Sequence, residues 1–356
     1  MQSIPDLVAP NLTIHKVKHP TWIDNYYTFL AIGSDIGCTE SVENYLENDQ
    51  SVTADIHQFG DGNSAASVQG EMQGPETALL LSDRAPGGAQ IRTLSGVDST
   101  PLMAGGRMVG RYFEDSDARY CILGDIRPGN VEATPGEQTR EVMETIQKSL
   151  MSAGMDFQNV VRTWFYNDRI LDWYAEFNRA RSTFFQRHGI KAIPASTGIG
   201  VANRAGAALV AKAIAVAPKN AHVRIRRVES PLQCEASAYG SAFSRGLEVA
   251  DRAVRVLYVS GTASIEASGD TVHVGDAAKQ IEKTMEVVEA MLERNGMRLE
   301  ETVRAIGYFR HREHIPLWEE YCRGRDLGPM PIILTECEVC RANLLFEIEL
   351  DVAKAV

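Results

Sequence analysis

Two glutamates separated by one residue, Glu347 and Glu349, stand in a largely apolar stretch near the end of the sequence, "NLLFEIELDVAKA". A carboxyl group set among apolar neighbours, with a second carboxylate beside it, can hold its proton near neutral pH and act as a general acid. Read with the two-residue period of a strand, Leu344, Phe346, Ile348 and Leu350 take one face and Leu345, Glu347, Glu349 and Asp351 the other. Alternating acids on an antiparallel strand ordinarily face solvent, so the pattern also fits an exposed outer face. Cys337 and Cys340 form a Cys-x-x-Cys just upstream, with Cys322, His311 and His314 nearby in sequence. On an extended strand residues three apart point to opposite faces, so that pair cannot chelate zinc without a turn, and free buried thiols are the expectation. Arg310 closes the β-rich run "AIGYFR"; it offers a planar two-donor grip on a carboxylate, or is a surface arginine at a strand end.

These residues sit in a segment whose order of elements occurs twice. The first copy runs from "CILGDIRPG" to "AALVAKAIAVAP", the second from "LYVSGTASI" to "NLLFEIELDVAKA", and each reads strand, helix, strand, helix, strand, strand. Val142, Ile146, Leu150 and Met151 follow helical spacing in one long helix, and Ile281, Met285, Val288 and Leu292 in the other. Gly154 and Gly296 stand where helix stops belong. The expected fold is α+β: two tandem domains, each a mixed sheet with two helices packed on one face. Boundaries fall at 1–83 for an N-terminal extension of short strands and loops, 84–217 for the first domain, 218–252 for a connector and 253–356 for the second domain. In the strand matching "FEIEL", the first copy carries Ala211 and Ala213 where the second has its acids, so only the second copy is equipped for acid catalysis.

Composition narrows the function classes. The chain has 356 residues, 44% hydrophobic and 23% charged, ample for a packed core and a length that suggests two domains. Its formal net charge of −11, with no long basic block, argues against general nucleic-acid binding, and any anionic ligand needs a locally basic pocket. No apolar run is long enough to span a bilayer, and "MQSIPDLVAPNLTIHKVKHP" shows no basic start followed by an apolar block, so a cytoplasmic location without membrane association is expected. The six cysteines are dispersed, as suits reduced thiols. The glycine-containing stretches "GDGNSA", "GGAQ" and "MAGGRMVG" match no phosphate or dinucleotide fingerprint, and "STGIG" is not a nucleophile elbow.

The duplicated order, with "SGTASI" ahead of a long helix and "FEIELDVAKA" at the end, resembles the Rid (reactive intermediate deaminase) superfamily. Rid deaminases hold a substrate carboxylate with an arginine two residues after the proline that opens their penultimate strand. Here "PAS" and "PII" put Ser196 and Ile333 there, so the deaminase residue is missing from both copies. Three motifs are similar to those of the chorismatases, a duplicated Rid-like family that releases pyruvate from chorismate: "ESPLQCEASAYGSAFSRG", "GYFRHREHIP" and "CRANLLFEIE". Leu232 departs from that pattern, where an arginine is expected. The resemblance implies Glu347 as the catalytic proton donor, with Cys340 marking the branch that forms 3-hydroxybenzoate. It implies Arg310, Tyr239, Arg245, Ala263 and Glu349 around a dianionic substrate, no metal or redox cofactor, and a monomer or homotrimer. Hydrolysis of chorismate to a dihydroxycyclohexadiene acid, or a Rid-like deaminase or ligand-binding role, are the competing expectations.

Overall fold

The computed structural model describes residues 6–9, 12–30, 51–60, 79–81, 88–236 and 241–356. Three mixed sheets account for most of them. The first is built from β1 (Asp6–Ala9), β2 (Leu12–Lys18), β3 (Ile23–Leu30), β4 (Val52–Gly60), β5 (Leu79–Leu81) and β6 (Gly88–Ser95). The second uses β7 (Ser99–Ala104), β8 (Arg107–Glu114), β9 (Ala118–Ile126), helix α1 (Pro135–Ser152), β10 (Val160–Asn167), helix α2 (Ile170–Arg187), β11 (Ala195–Gly200) and β13 (Leu209–Pro218), while the short β12 (Ala202–Asn203) reaches back to pair with β5. The third uses β14 (Arg224–Val228), β15 (Gly246–Ala250), β16 (Val254–Ala263), α3 (Ala277–Arg294), β17 (Thr302–Phe309), α4 (Ile315–Gly324), β18 (Ile332–Glu336) and β19 (Phe346–Ala355).

Strand order is the same in all three: β1-β2-β3-β6-β4-β5, β7-β8-β9-β13-β10-β11 and β14-β15-β16-β19-β17-β18. The two sequence copies are thus joined by a third unit of like topology at the N-terminus, where the sequence shows only short strands and loops. The stretch 218–252 contributes β14 and β15 to the third sheet.

Each helical layer buries one face of its sheet. Val142, Ile146 and Leu150 of α1 pack on Leu209, Ala211, Ala213 and Ala215 of β13 within one apolar cluster. Met151 is 62% exposed and off that face, because it follows Leu150 directly and points about 100° away around the helix. In the third sheet Ile281, Met285, Val288 and Leu292 pack on Phe346, Ile348 and Leu350. Both long helices end before a glycine in the left-handed region, Gly154 at φ +66° and Gly296 at φ +67°.

The opposite faces of the three sheets meet in a common core that includes Tyr26 and Phe59, Trp164 and Tyr166, and Tyr258 and Tyr308. Register defines equivalent positions there. Phe59 lies opposite Gly88, Tyr166 opposite Val210 and Tyr308 opposite Glu347, each beyond a bulge that precedes Asp55, Arg162 and Arg304 respectively. Position for position, Glu347 therefore matches Val210, and Glu349 matches Lys212. This corrects the alignment with Ala211 and Ala213 by one residue: those alanines face the helices, and a one-residue slip exchanges the faces of a strand.

Candidate active site

The acidic face of β19 is buried: Glu347 is 5% exposed, and Glu349 and Asp351 less. The solvated-face alternative is thereby excluded. Burying carboxylates costs free energy unless each is paired or keeps its proton, and the two glutamates take different routes. Glu349 is clamped. Arg162 Nη2 donates to its Oε2 at 2.7 Å, Arg304 Nη2 to Oε1 at 2.5 Å and the Trp164 indole Nε1–H to Oε1 at 2.8 Å. Burial alone would raise its proton affinity, but Arg304 and Arg162, with a hydrogen bond from Thr197, hold it down at about 2. Glu347 is raised to about 8, first by burial and then by the charge of Glu349, with Arg162 and Arg245 opposing. At neutral pH one carboxyl is an anion and its neighbour an acid.

Glu347 stands at the seam between the second and third sheets. The register of β16 on β19 shifts between Val259 and Thr262, and this bulge carries Ser260 and Gly261 toward β11. Ser196 N donates to Ser260 Oγ at 2.8 Å and Gly261 N to Thr197 Oγ1 at 3.1 Å. A Cβ at 261 would stand 2.0 Å from Glu347 Oε1, so the glycine is what lets the carboxyl keep this position.

A cavity of about 500 Å³ opens over Glu347 along this seam. Its third-sheet wall includes Gly261, Ala263 and Cys340, and its second-sheet wall includes Ser196 and Gly198 of β11. Across from them α2 turns Tyr174, Phe177, Asn178 and Arg181 inward at helical spacing, just after a kink at Trp173. Arg181 is buried, with Nη2 donating to Asn178 Oδ1 at 2.7 Å and the guanidinium 4.9 Å from the Phe177 ring centroid. Arg245 is held by its Nε and Nη2 on the Cys234 carbonyl at 2.9 and 2.6 Å, and Arg341 donates to Gly269 O at 2.7 Å. With Arg179 these arginines make the lining locally basic in an acidic protein. Gln233, the glutamine of "SPLQ", donates to Ala263 O at 2.9 Å and Ile265 O at 2.8 Å, tying the segment before β15 to the end of β16.

The residues singled out in sequence divide as follows. Glu347, Cys340, Arg245 and Ala263 share the cavity wall. Glu349 lies behind it in the core. Arg310 is half-buried outside the wall, its Nη1 donating at 3.4 Å to the carbonyl of Arg341. Tyr239 is outside the described residues. Cys337 packs in the common core and Cys340 beside the cavity, in a segment past the end of β18 where no strand alternation applies. Burial keeps the Cys340 thiol protonated, pushed up to about 12 with the Glu347 carboxyl adding to the effect. Arg179 and Arg181 escape a sequence reading because α2 belongs to the copy without the acid, and Arg341, although it stands in "CRANLLFEIE", lies in a loop whose side-chain directions no strand period gives. The visible signal was the polar and aromatic i, i+3, i+4, i+7 set at Tyr174, Phe177, Asn178 and Arg181.

Comparison with known proteins places this architecture. A family model described as Endoribonuclease L-PSP matches residues 124–217. A 3-hydroxybenzoate synthase of Streptomyces hygroscopicus is 28% identical over 267 residues, spanning 67% of this chain and 74% of that protein. A chorismatase of Streptomyces rapamycinicus is 29% identical over 222 residues, spanning 55% of this chain and 64% of that protein, just short of two thirds of its length. A crystal structure of a chorismatase superposes with a TM-score of 0.68 at 19% identity, covering 92% of this chain and 98% of the other, a likeness of fold.

Proposed function

We propose that this chain, similar to chorismatases within the Rid superfamily, converts chorismate to pyruvate and 3-hydroxybenzoate with Glu347 as the proton donor. The observation that carries the reading is a carboxyl group raised to about 8 at the floor of a basic cavity of about 500 Å³. The enolpyruvyl ether of chorismate breaks once its methylene carbon gains a proton and the ether carbon becomes an oxocarbenium ion, so an acid that is still protonated near neutral pH is what the reaction needs. The ring hydroxyl oxygen then bonds to the ring carbon that bears the ether while that carbon–oxygen bond breaks, and pyruvate leaves with the former ether oxygen as its keto oxygen. The hydroxyl proton returns to the carboxylate, and the oxygen-bridged ring isomerises to the aromatic phenol. No water is consumed, because the atoms of chorismate equal those of the two products.

Arg245, Arg341, Arg181 and Arg179 would receive the two substrate carboxylates from different sides, and Arg310 would act through the Arg341 backbone it supports. Cys340 supports the aromatising path over hydrolysis: a neutral, soft side chain beside Glu347 offers an attacking water no base. Incubation of the purified protein with chorismate in the presence of a chelator, followed by chromatography, tests the reading. Pyruvate and 3-hydroxybenzoate in equal amounts are expected. No pyruvate above the spontaneous background would remove the activity, and a non-aromatic dihydroxy acid as the sole organic co-product would assign hydrolysis instead.

A further inference from the structure

Glu349 draws its partners from two sheets. Arg304 belongs to the third sheet and Arg162 to the second, the copy whose own strand has no acid. Both guanidinium groups lie over the ring of Trp164, 4.5 Å from its centroid for Arg162 and 5.1 Å for Arg304, and that indole binds the same carboxylate. Arg162 Nη2 also donates to Thr197 Oγ1 at 2.7 Å, the oxygen that accepts from Gly261 N at the bulge against Glu347. One connected set therefore runs from the clamp to the space that Glu347 occupies. At the equivalent places the first two sheets carry Gln90 and Lys212, so this arrangement is confined to the third.

We propose that Arg162 and Arg304 are positioning residues that fix Glu349 as a permanent anion behind Glu347, so that Glu347 alone carries the mobile proton. The proposal rests on the reading of Glu347 as the proton donor. Charged and titratable groups face Glu347 from every neighbouring element. Arg162 of β10, Arg245 ahead of β15, and Tyr174 and Arg181 of α2 approach from the second-sheet side and the connecting segment. Tyr308 of β17 lies opposite Glu347 in register, and Cys337, Cys340 and Arg341 approach from the segment before β19. Among them Glu349 is the like charge held permanently in place, and it is the second-largest influence after burial in keeping Glu347 protonated.

The test is the pH dependence of kcat/KM in Glu349→Gln. Activity needs Glu347 protonated, so the parent loses activity as pH rises through the range near 8. Removing the neighbouring charge should move that descending limb down by about one pH unit or more, and the deficit against the parent should shrink as pH falls. An unmoved limb, or a KM raised equally at every pH, would overturn the proposal, the first by denying the electrostatic link and the second by making Glu349 a substrate ligand. Should two buried arginines without their carboxylate prevent folding, Glu349→Gln with Arg162→Gln removes opposite charges together. Its limb should move the same way by a smaller amount, and an unmoved limb again counts against the proposal. The infrared carbonyl band of protonated Glu347, assigned by its loss in Glu347→Gln, gives the same shift without substrate. Failure of chorismate turnover thus stays distinguishable from failure of the clamp.

Discussion

Strands β13 and β19 hold the same place in sheets of the same order, yet the residues they turn to the common core have opposite character. β19 presents Glu347 and Glu349, and β13 presents Val210 and Lys212. Lys212 Nζ reaches Asp55 Oδ1 at 2.6 Å and the Ile56 carbonyl, while Asp55 also meets His57 Nε2 at 2.9 Å and His57 Nδ1 lies 2.7 Å from the Tyr166 hydroxyl. That network joins the first and second sheets, and through the edge of His57, 5.1 Å from the Trp164 ring centroid, it abuts the clamp on Glu349. The network around Glu349 joins the second and third and leaves one neighbouring carboxyl at a cavity. One backbone arrangement has become a strut at one seam and the wall of a candidate site at the next, through two side chains per strand.

The largest expected effect separates the seams outright. Glu347→Gln keeps the shape of the side chain but cannot protonate carbon, so chorismate turnover should fall by about 10³-fold with the thermal transition and ligand binding retained. A variant that keeps most of its rate would put β19 in the same structural class as β13. Gly261→Ala comes next. The added methyl overlaps the Glu347 carboxyl, which is free to swing aside, so the fold should survive while kcat drops by about 10²-fold. Asp125, in the matching bulge of the second sheet, pairs with Arg107 and Arg127 away from the cavity, and Asp125→Asn should leave kcat unchanged.

Asp55→Asn should reverse the pattern. It leaves Lys212 buried opposite a neutral amide, so chemical denaturation should report a loss of about 3–5 kcal/mol, with the surviving folded protein still turning over chorismate. A stability change below about 1 kcal/mol would show that this seam does not depend on its ion pair.

A smaller effect lies in the pH dependence of stability. Glu347 has a folded-state value near 8 against an ordinary 4.5, so its contribution is fully present below the ordinary value and is lost as pH rises toward 8. Glu349, held near 2, works the other way, with stability present above its ordinary value and lost only as pH falls toward 2. Thermal melts from pH 5 to 8 should therefore show a falling component that Glu347→Gln abolishes. Smallest of all, Arg310→Lys should raise KM for chorismate only a few-fold, since Arg310 supports the Arg341 backbone from outside the wall. A collapse of kcat instead would move Arg310 into the site.

The amino-acid sequence by itself determined the periodic features. The two-residue alternation of β19, the helical stripes of α1 and α3 and the left-handed glycines that stop them all follow from local backbone geometry. It also singled out Glu347 and Glu349, acids flanked by apolar residues, while leaving a solvated face open, and the choice of Glu347 came from the resemblance. Tertiary structure decided everything that depends on register and on contacts between copies. The match of Glu347 to Val210 is set by bulges that no periodicity announces. The clamp on Glu349 pairs residues 187 positions apart, and the arginines of the cavity come partly from α2, on the far side of the seam. The third unit of like topology at the N-terminus emerges only from strand order, which is fixed by pairings between distant segments. Whether a buried carboxyl becomes an acid or a counter-ion depends on which arginines arrive beside it, and that is a property of the packed chain.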